Sequence, residues 1–131
     1  MSSTREFSIE AVAELLPNGQ CIAQIPIGDR VDSSSPIAFH AVWPPHCKVD
    51  PHTHAADYCE IVLKGSQQVS GKWFNEGDVR VVKAGTRYGP LIAGPEGCTL
   101  LLIFPNGEWM PIPVREQAIE GLDVSAMTPV S

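Results

Sequence analysis

Short apolar or alternating runs, cut at close intervals by glycine and proline, limit what this chain can fold into more than any other feature. The runs are CIAQIPI (21–27), PIAFHAVW (36–43), DYCEIVLKG (57–65), QQVSGKWF (67–74), DVRVVKAG (78–85) and CTLLLIF (98–104). Between them lie turn residues: Gly28 and Asp29, Ser33 to Pro36, Asn75 to Gly77, and Gly94 to Gly97. Strands of this length and spacing, with Gly/Pro turns, build an all-β sandwich or barrel. Twelve prolines and eleven glycines agree with that. One stretch breaks the pattern. Ile9, Val12, Leu15 and Leu16 recur at helical spacing, with Ser8 as N-cap, Glu10 in the first turn and Pro17-Asn18-Gly19 as the stop. This predicts a short N-terminal helix over 8–17. The segment GPLIAGPEGC after Tyr88 reads as a turn, with a loop over a barrel mouth as the alternative.

The 131 residues fit one domain, 1–131, with a barrel core over 36–105 and an aperiodic tail over 121–131 that packs outside or on a partner subunit. A net charge of −6 argues against nucleic acid and anionic membranes as partners, since both require a cationic face. No apolar run approaches the roughly 20 residues that span a bilayer. The N-terminal residues carry acids where a signal peptide carries basic and then apolar ones, so a cytoplasmic protein is expected. Cys21, Cys47, Cys59 and Cys98 are widely spaced, match no Cys-x-x-Cys pattern, and are read as reduced, mostly buried thiols. Trp43, Trp73 and Trp109 are read as core or pocket-wall residues.

The chemistry-bearing residues cluster. All four histidines fall within fifteen residues: His40, His46, His52 and His54. Residues two apart on a strand face one side, so His52 and His54 can present both imidazoles to one point. Imidazole is the commonest metal ligand, and suits Zn, Fe, Ni and Cu. Two hydrogen-bonded histidines without a metal are the other reading of this spacing.

The context of the pair resembles the cupin family, small jelly-roll barrels with an internal metal site. The first cupin motif runs from a glycine through His-x-His and a Glu to a second glycine; the second runs from a glycine through Pro-x-Gly to a His and an Asn. His52, His54 and Gly65 match the first, Gly77 and Gly85 the second. The departures bear on function. His46 stands at the leading glycine, Tyr58 at the glutamate ligand, Lys83 at the proline, Tyr88 at the third histidine ligand and Ile92 at the asparagine. Two family ligands are thus replaced by tyrosine, and the chain has no other tyrosines.

The resemblance implies a cupin-type double-stranded β-helix, a homodimer covering its sheet edges, and metal-dependent, dioxygenase-like chemistry on a small organic molecule. Three readings of the centre follow. In one, His52, His54, Tyr58 and Tyr88 hold a ferric ion. In another, His52 and His54 hold a transition metal, iron foremost with Ni, Zn or Mn as others, together with Glu60, which shares strand parity with Tyr58. His46 is a further candidate ligand, and Tyr58, Tyr88 and Glu60 are the candidate catalytic groups. In the third no metal is held, and the interior is a non-catalytic small-ligand-binding or sensing pocket. Arg80 and Lys83 have opposite parity, so one of them faces inward and could meet an anionic substrate.

Overall fold

The computed structural model describes residues 4–28 and 33–114. A single helical turn, α1 (Ile9–Val12), precedes ten strands: β1 (Ala13–Leu15), β2 (Cys21–Pro26), β3 (Ile37–Trp43), β4 (Lys48–Val49), β5 (His52–Thr53), β6 (Tyr58–Val69), β7 (Lys72–Asn75), β8 (Val79–Val82), β9 (Leu91–Phe104) and β10 (Ile112–Pro113). Eight strands form one antiparallel sheet in the order β1-β2-β3-β9-β6-β7, with β4 also on β9 and β8 also on β6. The strands β5 and β10 pair separately. Neighbours such as β3 and β9 lie far apart in sequence, as jelly-roll connections require. The expected all-β class is what the chain adopts.

Three elements differ from the sequence expectation. The helix predicted over 8–17 stops at Val12, although Ser8 caps it as expected, accepting from the Ala11 N–H at 3.2 Å. Ala13–Leu15 instead goes extended and pairs with Cys21–Ala23. Leu15 stays 77% exposed, so the helical stripe has nothing to pack on, whereas the sheet edge satisfies the backbone of Ala13–Leu15. Next, β6 does not end at Gly65. It runs on to Val69, and the reversal falls at Ser70-Gly71. Gly65 instead marks a register shift of β6 against β9. Its φ is +78° and a Cβ there would sit 2.2 Å from the Gly97 carbonyl oxygen, so only glycine allows this crossing. Finally, the segment after Tyr88 is strand rather than turn: β9 begins at Leu91 and its Leu91–Ala93 end pairs with Gln67–Val69.

Alternation sends Phe39, Ala41 and Trp43 of β3, Tyr58 and Val62 of β6, Val82 of β8, and Leu100 and Phe104 of β9 into one core. The four thiols are free; Cys98 is buried and the others half-buried. Trp43 is core, but Trp73 is exposed on β7. The tail over 121–131 lies outside the described residues. No helix among the described residues is long and apolar enough to cross a membrane.

Candidate functional site

The site sits where β5, β6 and the Tyr88 segment meet. His52 and Tyr88 face each other across an antiparallel bridge, each N–H on the other's carbonyl, at 3.0 and 3.2 Å. Opposite residues of such a bridge share a face, so both rings turn inward. The Gly85 N–H on the His54 carbonyl and the Ala84 N–H on Asp57 Oδ1, both at 2.8 Å, pin the preceding Lys83–Thr86 turn. Tyr58 opens β6 on the inner face, two residues before Glu60. Four rings converge as a result. Ring centroids are 5.0 Å apart for His52 and His54, 4.8 Å for His52 and Tyr88, and 4.9 Å for His54 and Tyr58. Tyr58 stacks on Phe104 at 4.6 Å.

The hydrogen bonds give this cluster a direction. His52 Nδ1 lies 3.0 Å from the Asp50 carbonyl, which can only accept, so Nδ1 carries the proton. Nε2 is then an acceptor and takes the Tyr88 hydroxyl at 3.1 Å. With its proton so used, Tyr88 accepts from the Tyr58 hydroxyl, with which it is in direct contact. Likewise His54 Nδ1 donates to the Trp109 carbonyl at 2.8 Å. Its Nε2 is left as an acceptor with no hydrogen-bond partner among the described residues.

Every member of the cluster is neutral near pH 7. Burial is the first cause of lowering for both imidazoles. His54, with His52 beside it, falls to about 4, while His52 is held less low because the Asp50 carbonyl and Glu60 oppose the effect. Both phenols are raised, by burial first; Glu60 adds to the shift at Tyr58, and Tyr58 adds to it at Tyr88.

Beneath Tyr88 lies an ion pair. Glu60 and Arg80 stand directly opposite on β6 and β8, and both are buried. Glu60 Oε1 accepts from Arg80 in a short salt bridge and from Gln67 Nε2 at 2.6 Å. The Arg80 guanidinium also lies over the Tyr88 ring, 4.9 Å from its centroid. Burial works to lower Arg80, but the charge and hydrogen bond of Glu60 outweigh it and hold the guanidinium ionised. Of the opposite-parity pair, Arg80 is therefore the inward residue and Lys83 the exposed one.

These facts test the expected metal ligands. His52 and His54 suit a transition metal in one respect: both Nδ1 atoms are anchored on carbonyls, as metal-binding histidines commonly are. The carboxylate does not join them. Glu60 is committed to Arg80 and Gln67, and among the described residues no three His, Cys, Asp or Glu side chains form a group that could hold an ion. The expected His52, His54, Glu60 centre would therefore need Glu60 to leave Arg80 and Gln67. Parity correctly turned Glu60 inward, but Arg80, opposite it, took the carboxylate. His46 is exposed in the turn after Trp43, its N–H on the Gly94 carbonyl, and takes no part in the cluster's ring contacts. The oxygen donors that do converge with the imidazoles are the two phenols. Among the described residues the fully enclosed side-chain atoms without a partner are Thr53 Oγ1 and Gln67 Oε1, and neither belongs to the four rings.

Sequence reasoning missed Gln67, fully buried, and the aromatic surround of Phe39 and Phe104. The inward alternation of β3 and β9 was the available signal for the two phenylalanines. Nothing in the sequence marks Gln67, because its partner is set by the course of β6 beyond Gly65.

No family model matches the chain, and no curated protein does. Solved structures do. Oxalate decarboxylase from Bacillus subtilis is similar over 97% of this chain and 39% of its own, with a TM-score of 0.68 and 19% identity. That enzyme has Mn(II) centres, described in a further structure at 18% identity and a TM-score of 0.66 that covers 97% of this chain and 39% of its own. A chain of the Rhodobacter sphaeroides SigE complex with the anti-sigma ChrR is similar over 70% of this chain and 48% of its own, with a TM-score of 0.60 and 22% identity. The chain thus spans less than half the length of these proteins. The likeness is one of backbone, and it agrees with the two glycine-delimited motifs in the sequence: this chain has the cupin fold.

Proposed function

We propose that the interior is a binding site for a small, uncharged organic molecule, with His54 at its polar end and the Tyr58–Tyr88–His52 chain behind it. The observation that carries this is charge balance. Both imidazoles and both phenols are neutral, and the cation buried beneath them, Arg80, is already paired with Glu60. A dianion such as oxalate would enter with no free positive charge to meet it, and burying an unpaired charge costs several kcal/mol. The structural likeness to oxalate decarboxylase therefore supports the fold and not the substrate.

One observation favours a second reading, a metal-dependent cupin. The four rings meet, and a His52 Nε2 to Tyr88 Oη distance of 3.1 Å also suits two donors on one ion. His52, His54, Tyr58 and Tyr88 would hold it, and the phenols would have to ionise, which favours ferric iron. Such an ion would supply Lewis-acid and dioxygen chemistry.

Metal analysis of the purified protein, paired with calorimetric titration of oxalate, separates the readings. Metal well below one equivalent and no heat from oxalate are expected. Stoichiometric iron, manganese or zinc that is lost in His52→Ala would overturn the neutral-site reading in favour of the enzyme.

We further propose a homodimer and a cytoplasmic location. The outer face of β8, β6 and β9 supports the dimer. Val79, Val81, Leu63 and Ile103 leave this face apolar and exposed among the described residues, the surface a second copy would cover.

A further inference from the structure

The interior opens on one side into a pocket of about 290 Å³ lined by Ile22, Phe39, Leu102, Phe104, Trp109 and His54. Water occupies about 30 Å³ per molecule, so the space suits a ligand on the order of ten non-hydrogen atoms. Its walls are aromatic. Phe39 meets Phe104 edge to face at 5.7 Å and Trp109 at 5.0 Å, and His54 lies 5.3 Å from Phe104. Trp109 belongs to the fold rather than to a loose end. Its segment is tied by the Gly107 N–H on Ser33 at 2.8 Å and by the β10 ladder to β5, and its carbonyl holds His54. At the rim stands the exposed carboxylate of Glu14, with Gln24 beside it. Among the described residues that line it there is no Lys or Arg.

Of the four clustered rings, His54 is the one that lines this space. His54 Nδ1 donates to Trp109, so Nε2 is the acceptor that His54 offers. Within an apolar site, a ligand lacking a donor leaves that acceptor unmet, and a ligand with one gains the bond. A carboxylate would meet a lone pair at His54 and a like charge at Glu14.

Resting on the neutral-site reading above, we infer that this pocket takes a planar, uncharged aromatic molecule bearing a hydroxyl or N–H. The ring lies among Phe39, Phe104 and Trp109, and the donor sits on His54 Nε2. The class includes simple phenols and excludes small carboxylic acids.

Calorimetry on the full chain with three probes of one shape tests this: para-ethylphenol, para-ethylanisole and para-ethylbenzoate. The phenol is expected to bind saturably, the ether about tenfold more weakly for want of the hydrogen bond, and the benzoate more weakly again. In His54→Phe, which keeps a ring and removes the acceptor, phenol and ether should bind equally. Leu102→Trp, which fills the pocket, should abolish both; circular dichroism verifies that each variant folds. Equal binding of phenol and ether by the natural protein, tightest binding of the benzoate, or no binding of any probe overturns the ligand class. Phenol binding that appears only in iron-loaded, coloured protein would instead overturn the neutral-site reading beneath it.

Discussion

A histidine buried without an anionic partner couples folding to pH. The unfolded chain protonates His54 below its ordinary 6.5, whereas the folded chain does so only near 4. The unfolded state thus binds more protons between those values, and His54 contributes stability above 6.5 that is lost as pH falls toward 4, on the order of 3 kcal/mol. His52 acts in the same direction. Urea midpoints should therefore drop between pH about 7.5 and about 5, and His54→Phe should flatten that slope. An equal slope in the variant would remove His54 from the account. The Glu60–Arg80 pair makes a second demand at this scale. Arg80→Met leaves a buried carboxylate with only Gln67, which should cost about 3–5 kcal/mol. Glu60→Gln with Arg80→Met should recover much of that, and a double variant no better than the single one would contradict the pairing. Parity alone turned Tyr58 and Glu60 inward together. It could not choose between Arg80 and Lys83, because the choice depends on the register that sets Arg80 opposite Glu60.

At the level of elements, the placement of Tyr88 rests on a close backbone approach. Gly89 has φ +116°, and a Cβ there would come within 2.8 Å of Pro51 Cα. Gly89→Ala should destabilise the protein by more than about 1 kcal/mol and push Tyr88 away from His52. Thermal unfolding checks the first; weakened phenol binding checks the second. An unchanged melting temperature would mean that this approach is not needed. Strands bounded by clear turn residues, β2 and β3, could be read from the chain within a residue, and β8 within three. Two regions resisted. Gly65 looked like a turn and Pro95-Glu96-Gly97 looked like another, yet they lie where long strands cross with shifted register. Positive φ at Gly65 and Gly97 serves a bulge as well as it serves a hairpin. The helix formed where Ser8 caps it but stopped short for a different reason: its apolar stripe was real, but helical propensity without a surface to cover does not outweigh the pairing offered by an open sheet edge.

For the whole molecule, the cupin resemblance carried the fold because its glycine positions and strand order constrain the backbone. It constrains the ligands less, because each ligand depends on one side chain, and two of the motif's ligand positions are tyrosine here. The outer apolar face gives the proposed dimer its test. Val81, 80% exposed, should be replaceable by Glu without loss of folding. Val81→Glu should shift sedimentation from dimer toward monomer, while a natural protein already monomeric at micromolar concentration would reject the interface. The neutrality of the ring cluster has a more direct reporter, since Tyr58 and Tyr88 are the only tyrosines in the chain. Their absorption, followed in the folded protein from neutral to alkaline pH, reads the cluster alone. The account predicts no phenolate near pH 7, no visible band, and ionisation delayed above the ordinary value of 10.0 until the fold is lost. Phenolate at neutral pH with a visible iron-to-phenolate band, or two tyrosines titrating freely near 10, would contradict it.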